Sequence, residues 1–372
     1  MIRVLQVFGR LGRGGLETFV VNMYKAIDRS QVQFDFLLNA PNGEYEEEVM
    51  ALGANIFHLP SRAQGIKAYR QALDTFFKSN IGKYAAIHLH ASSLTAIEPL
   101  IYAKKYGIRI RIIHSHSTSV KRDLRLRGLH HMLHSINRLR IGRIATHYFG
   151  CSDKALDWMY SWSGVRSKAI MINNGIDTTP FRFDLETRRE VRSELGLKDE
   201  FVIGHVGSFI QVKNHKFLID IFTNLHKRIP NTHLILVGDG ELRHEIENNI
   251  RYNGISEAVT LTGIRGDVNR ILQGLDLLIM PSFFEGLPVS LVEAQAAGLP
   301  ILASDTISRD VAITPNIKFL SLKDDKKNWI DAIEAIKDNY IRHDTTDCIR
   351  KAGFDIYQTA DYISRAYLNK TK

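Results

Sequence analysis

Apolar, β-branched runs recur along the chain at 2–8, 33–38, 85–89, 109–113 and 145–150. Between them, near 15–27, 66–79, 94–106, 123–141 and 152–163, the apolar positions fall at helical spacing. The alternation resumes after the turn Gly175-Ile176-Asp177-Thr178-Thr179-Pro180, with strands expected near 201–206, 233–237, 258–262, 276–280, 300–303 and 317–320. Near-continuous apolar strands that take turns with helices argue for parallel sheets covered on both faces. Two such series predict an α/β protein of two doubly wound Rossmann-like domains, residues 1–178 and 179–355.

In open parallel sheets, ligands gather beyond the carboxyl ends of the strands, so the loops that follow strands carry the functional reading. The first runs Gly9-Arg10-Leu11-Gly12-Arg13-Gly14-Gly15-Leu16-Glu17 into a helix. Glycines there let backbone N–H groups approach a phosphate, although the same residues would also serve a tight strand–helix turn. A dinucleotide fingerprint would need a third glycine where Glu17 stands, and Asp35 lies inside a strand run rather than at its end. A nicotinamide dehydrogenase is therefore not indicated. The loop from Gly207 to Lys213-Asn214 places a lysine at a helix start, a fit for a diphosphate. Two further strands end at Gly238-Asp239-Gly240 and Gly263-Ile264-Arg265-Gly266-Asp267-Val268.

The most informative segment is Pro281-Ser282-Phe283-Phe284-Glu285-Gly286-Leu287-Pro288-Val289, which continues through Glu293-Ala294-Gln295-Ala296-Ala297-Gly298-Leu299-Pro300. Glu285 is expected in a loop and Glu293 in a small-residue helix that starts near Val289. Two carboxylates so placed suit a polyhydroxylated ligand held at two points. Gly286, Leu287 and Pro288 would leave backbone N–H groups free at the helix start.

This segment resembles the signature of glycosyltransferase family 4, the group 1 transferases, and the resemblance extends in order through the Gly14-Gly15-x-Glu17 loop, Asn174-Gly175-Ile176-Asp177 and Gly207…Lys213-Asn214. It implies the GT-B fold, two Rossmann-like domains facing across a donor cleft, with the last helix, within about 356–372, crossing back to the first domain. By the same resemblance, Glu293 holds the donor ribose, Glu285 holds hydroxyls of the transferring sugar beside Gly286, Leu287 and Pro288, and Lys213 neutralises the diphosphate. Gly14, Gly15 and Gly207 belong to its cradle. Gly263, Ile264, Arg265 and Val268 wall the base, and His116 is the active-site histidine. One departure stands out: the family's arginine just after the glycine is here Ser208, so half of the positive clamp is missing, with Arg13 a candidate substitute. The implied reaction is sugar transfer with retention of configuration from a nucleoside-diphosphate sugar, by family analogy a UDP-sugar, to a glycan or lipid-linked acceptor in bacterial surface polysaccharide synthesis.

Charge and composition refine this reading. Residues 1–178 hold 24 Lys and Arg against 13 Asp and Glu, and eleven of those cations lie between Lys104 and Arg143, where Asp123 is the single acid. Such a bias calls for an anionic partner. The stretch lacks interleaved aromatics, which argues against nucleic acid. An anionic membrane remains, met by a helix with the stripe Leu129, Met132, Leu133, Ile136 and Leu139 flanked by Arg122, Arg125 and Arg127, although the same stripe would serve a helix packed on its sheet. Two distant cysteines, Cys151 and Cys348, fit a reduced compartment. With no leader pattern and no spanning run, the protein is expected in the cytoplasm, docking at most peripherally on the inner face of the cell membrane.

His114 and His116 alternate onto one side of a strand, but with no third ligand visible no metal is expected, and there is no Asp-x-Asp clamp; no cofactor is expected either. Competing readings are a nucleotide-sugar epimerase of the same fold and, from a different class, a basic nucleic-acid-binding protein.

Overall fold

The computed structural model describes residues 1–117 and 127–368, which divide into two units: one from Met1 to Gly175 joined by the segment from Ile356 onward, and Ile176–Asp355. The boundary falls three residues before the expected 178/179. Ile176 N–H donates to Phe354 O at 2.9 Å and Arg350 Nε to the Thr178 hydroxyl at 2.8 Å, which ties this turn to the second unit.

The first unit is built on seven parallel strands: β1 (Ile2–Phe8), β2 (Val32–Leu38), β3 (Ile56–His58), β4 (Ala86–Ala91), β5 (Ile110–Ser115), β6 (His147–Gly150) and β7 (Ile170–Met171), in the order β3-β2-β1-β4-β5-β6-β7. β3 and β7 were not anticipated. They are edge strands of three and two residues with little burial, too short to show an apolar period. β2 is buried throughout, including Asp35. Burial alone would raise that carboxyl's pKa, but hydrogen bonds from Arg3, Asn55 and Tyr84 hold it below its ordinary value. Asp35 thus stitches the sheet and is unavailable to a ribose.

Each face of this sheet carries one apolar core. On one, the helix Gly15–Ala26 buries Phe19, Val20 and Met23 in the cluster that includes Ile356, Ala360, Ile363 and Tyr367 of the C-terminal helix Ile356–Tyr367. On the other, Leu73 and Phe77 pack with Leu5, Ile87 and Ile113. The last helix in the chain therefore belongs to the first core.

In the second unit, β8 (Phe201–Val206), β9 (Thr232–Val237), β10 (Val259–Gly263), β11 (Leu277–Met280), β12 (Ile301–Ser304) and β13 (Ile317–Leu320) form a parallel sheet of order β10-β9-β8-β11-β12-β13. The direction of winding reverses between β8 and β11, and in the first unit between β1 and β4. Loops diverge at such switch points and leave a crevice at the strands' carboxyl ends.

Candidate active site

The second unit's switch point brings together the two loops that the sequence singles out. After β8 the chain runs through Gly207 to Lys213, and after β11 through Pro281 to Pro288. Phe283 N–H donates to Val212 O at 2.8 Å and Asn214 Nδ2 to Pro281 O at 3.1 Å, which fastens one loop to the other. Across this junction Lys213 Nζ lies 2.8 Å from Glu285 Oε1. A Cβ on Gly207 would stand 3.0 Å from Lys213 Cε, so the glycine makes room for the lysine stem.

Glu293 sits in the helix Val289–Ala296, where Leu291 N–H donates to Pro288 O at 3.0 Å and the N–H groups of Val289 and Ser290 have no intrahelical acceptor. Its carboxyl has no hydrogen-bond or ion-pair partner among the described residues, and desolvation raises its pKa to about 7. A partly buried acid without a partner is costly unless a ligand satisfies it. The helix itself is held firmly. Gln295, two residues on, donates from Nε2 to Leu291 O and Val311 O and accepts at Oε1 from Ile313 and Thr314 N–H. Gly298 ends the helix at φ +67°, and a Cβ there would come within 2.1 Å of His343 O. Gln295 was missed as a positioning residue, because a lone polar residue in an Ala-rich helix does not reveal its partners.

Of the residues expected to wall the base, Gly263 has φ +70°, Ile264 is exposed and Val268 opens the helix Val268–Gly274. Arg265 is engaged with Asp267 in two bonds of 2.7 Å. Ser208 is exposed. Arg13, the candidate substitute, lies in the first unit with its guanidinium 5.5 Å from the Tyr45 ring. A cavity of ≈ 670 Å³ opens elsewhere, at the amino ends of the second sheet's strands, where Arg188 and Arg192 pair with Asp276.

In the first unit, Gly14 and Gly15 start the helix Gly15–Ala26 after β1, and a Cβ on Gly15 would meet nothing within 4 Å. His116 follows β5, its N–H donating to Ala91 O at 3.1 Å. The expectation of no third ligand near His114 and His116 is corrected here. β4 pairs with β5 so that His90 faces His114, and His88 and His90 project onto the same face. The sequence carried this signal as two His-x-His runs at the ends of successive strands.

His88, His90 and His114 each bring a ring nitrogen within 4.8 Å of the others, a spacing a metal could use. Six of the four rings' eight nitrogens are instead hydrogen-bonded: His88 to Tyr367 and His114, His90 to Gln6 and His116. Burial, with the neighbouring rings adding to it, holds His88, His90 and His114 well below the ordinary imidazole pKa, and burial takes His116 to about 3. All four are neutral at physiological pH.

The basic helix runs over Arg127–Arg140. Arg122 and Arg125 lie outside the described residues, as does the Arg127 side chain. Of the expected stripe, Leu129, Met132, Ile136 and Leu139 are exposed and Leu133 is half-buried, while His134 and Asn137 are buried. His134 accepts from Leu94 N–H and donates to Trp158 O, both at 3.1 Å, and Asn137 Nδ2 donates to Leu94 O at 2.7 Å. Polar residues anchor this helix and its apolar face looks outward. Among the described residues, no helix is long and apolar enough to cross a membrane.

Two doubly wound parallel sheets with these switch-point loops define the GT-B class. The model "Glycosyl transferases group 1" matches residues 187–352, and "Glycosyltransferase Family 4" matches residues 13–180. The chain is 33% identical to the putative glycosyltransferase EpsF of Bacillus subtilis (strain 168), over 98% of this chain and 96% of that protein. It therefore belongs to the group 1, family 4 glycosyltransferases. It is also 28% identical, over 54% of each chain, to the UDP-Gal:alpha-D-GlcNAc-diphosphoundecaprenol alpha-1,3-galactosyltransferase of Escherichia coli. Among solved structures, Anabaena Alr3699/HepE in complex with UDP and glucose superposes with a TM-score of 0.77 at 18% identity, covering 100% of both chains.

Proposed function

We propose that this glycosyltransferase moves a sugar, with retention of configuration, from a UDP-sugar to a lipid-linked or glycan acceptor in bacterial surface polysaccharide synthesis. The observation that carries this reading is the pairing of Lys213 with Glu285 at the second unit's switch point, followed along the chain by Glu293, which has no partner among the described residues. Glu293 would accept two hydrogen bonds from the ribose diol, and Glu285 would accept from sugar hydroxyls. Lys213, with the N–H groups at the start of the helix Val289–Ala296, would face the diphosphate. Gly263, Ile264, Arg265 and Val268 would line the base. The uridine and lipid-linked assignments rest on the UDP complex of the Anabaena protein and on the substrate in the name of the Escherichia coli relative.

As the anomeric bond breaks, negative charge grows on the leaving diphosphate and positive charge on the sugar. An ammonium and pre-oriented amides stabilise the leaving group without reorganising. The departing phosphate then takes the acceptor's proton on the same face, with no covalent enzyme intermediate and no metal. Within the first unit, Gly14 and Gly15 are the candidates for a phosphate cradle, and the neutral His116 ring would accept a hydrogen bond from a sugar hydroxyl.

A screen of nucleotide sugars for hydrolysis and thermal stabilisation tests the donor class; stabilisation by none of them would overturn the reading. His116→Ala should lower turnover by about 10²-fold or more with the fold intact. Turnover should persist in EDTA. Loss in chelator with recovery on adding a divalent cation would replace the metal-free scheme.

A further inference from the structure

His116 does not stand alone, and the network behind it has a direction. A side-chain amide is an acceptor at one end and a donor at the other, so whatever bonds to both ends is sorted by polarity. Gln6, in the middle of β1, uses both ends. Its Oε1 lies 2.9 Å from His90 Nε2 and its Nε2 lies 3.0 Å from the Tyr367 hydroxyl.

The consequences propagate ring by ring. Because Oε1 only accepts, a neutral His90 must carry its proton on Nε2, which leaves Nδ1 as an acceptor. That Nδ1 faces His116 Nε2 at 2.9 Å, so His116 donates from Nε2 and keeps a bare lone pair on Nδ1. His116 Nδ1 is buried and has no partner among the described residues. Along the other branch, Gln6 donates to Tyr367, and the hydroxyl donates to His88 Nδ1 at 2.6 Å. His88 Nε2 then donates to His114 Nδ1 at 3.3 Å. The tyrosine comes from the last helix of the chain, and its hydroxyl, which can donate or accept, follows the polarity of the Gln6 amide.

We infer that Gln6, hydrogen-bonded to Tyr367, is a positioning residue that acts through His90 to hold His116 in its Nε2–H tautomer, which leaves Nδ1 as the acceptor for a substrate hydroxyl. This rests on the reading of His116 as the active-site histidine. With all four rings neutral, as burial imposes, each passes on the polarity it receives and the Gln6 amide sets the direction; a protonated ring anywhere would donate at both ends and break it. The same logic disfavours a metal at His88, His90 and His114, which would break hydrogen bonds at His88 and His90, where both ring nitrogens are engaged, and bury a dication with no carboxylate among the three ligands.

The test compares two substitutions that a structural role and a positioning role rank oppositely. Gln6→Leu keeps the volume and removes both polar ends. Gln6→Glu buries an acid but retains an acceptor opposite His90 Nε2. If Gln6 only fills space, the leucine variant is the more active; if it positions His116, the glutamate variant keeps more turnover although it melts lower. We expect Gln6→Leu to lower kcat at least about 10-fold with donor KM within about 2-fold, since loss of a histidine's tautomer-fixing partner costs up to about 10⁴ elsewhere.

An independent readout is the long-range 15N–1H correlation spectrum of histidine side chains, which separates the two neutral tautomers without any turnover. Wild-type His116 should appear as the Nε2–H form and become mixed in Gln6→Leu. A wild-type His116 in the Nδ1–H form, or a leucine variant as active as wild type, overturns the inference. These outcomes differ from failure of the underlying reading, in which His116→Ala itself would turn over normally.

Discussion

Lys213 and Glu285 meet at 2.8 Å across the second sheet's switch point, with side chains only 13% and 19% exposed. Neither loop alone would hold its charge there, because a sheltered ion needs its partner. If the diphosphate engages Lys213, this pair must loosen, and Glu285 is released toward the sugar. Under the proposed function, donor binding would then free the acid assigned to the transferring sugar.

This exchange predicts opposite effects on product affinity. Lys213→Ala should weaken binding of free UDP by about 2–5 kcal/mol, the usual cost of truncating one partner of a buried charge pair. Glu285→Gln should tighten free UDP several-fold, because Lys213 no longer has a competing carboxylate, while turnover falls. Calorimetry with UDP reads both. Equal affinity in wild type and Glu285→Gln would show that the pair stays closed when the donor binds.

Glu293 trades stability for binding. Desolvation raises its pKa to about 7 from an ordinary 4.5, so between those values the folded chain keeps a proton that the unfolded chain has lost. Stability from this group therefore falls as pH rises through that window, by up to about 3 kcal/mol. Glu293→Gln should raise the Tm of the donor-free protein at pH 8 and change it little at pH 4.5. The same substitution should weaken the donor, since each hydrogen bond from a ribose hydroxyl to a carboxylate is worth about 1.5–3 kcal/mol. Melts that shift equally at both pH values would dissociate the raised pKa from stability.

The histidine cluster should make the protein labile to acid. His116 titrates near 3 and the three rings behind it also lie well below 6.5, because burial disfavours the cation. Below pH about 6.5 the unfolded chain binds protons that the folded chain refuses, so stability is lost as pH falls, by up to about 1.4 kcal/mol per pH unit for each ring. Denaturant midpoints should drop steeply between pH 7 and 5, and His88→Phe should flatten that slope. A midpoint independent of pH over this range would mean that the rings are hydrated.

Much of this was legible in the sequence, and the limits have physical causes. β1 and β8 were read from apolar runs, the helix Val289–Ala296 from its small residues, and the loops after β8 and β11 from their glycines and charged residues. β3 and β7 escaped because edge strands of two or three residues owe their existence to a neighbour's free edge. The four-histidine cluster escaped because pairing between β4 and β5 is a long-range fact: His90 and His114 are distant in sequence and adjacent only through sheet register. Gln6 looked like one more position in an apolar strand. The stripe on Arg127–Arg140 was seen but could not be oriented, since period says which residues share a face and not which face is covered.

That orientation bears on the last prediction, docking on an anionic membrane. Leu129, Met132, Ile136 and Leu139 face outward at 45–71% exposure, while His134 and Asn137 hold the helix to the first unit. A helix anchored by polar residues that shows its apolar face to solvent has the inverse of ordinary amphipathicity, and such a face usually marks an interaction surface. Arg138 and Arg140 stand on the same helix, and Arg122, Arg125 and Arg127 at or before its start. Basic residues near an anionic surface contribute about 1 kcal/mol each, so four or five would hold the protein reversibly. Apolar side chains that reach the acyl boundary would add about 25 cal/mol per Å² buried. The two contributions separate by salt, since the screening length shortens to about 3 Å at 1 M and leaves apolar burial untouched. Flotation with phosphatidylglycerol vesicles should be strong at low salt, partial at 1 M and absent with neutral lipid at low protein concentration. Arg122/Arg125/Arg127→Glu should abolish the salt-sensitive part, and Leu129/Met132/Ile136/Leu139→Ser the residue that survives salt. Equal flotation on neutral and anionic vesicles, or no response to either set of changes, would assign the exposed stripe to a protein partner and favour a soluble acceptor.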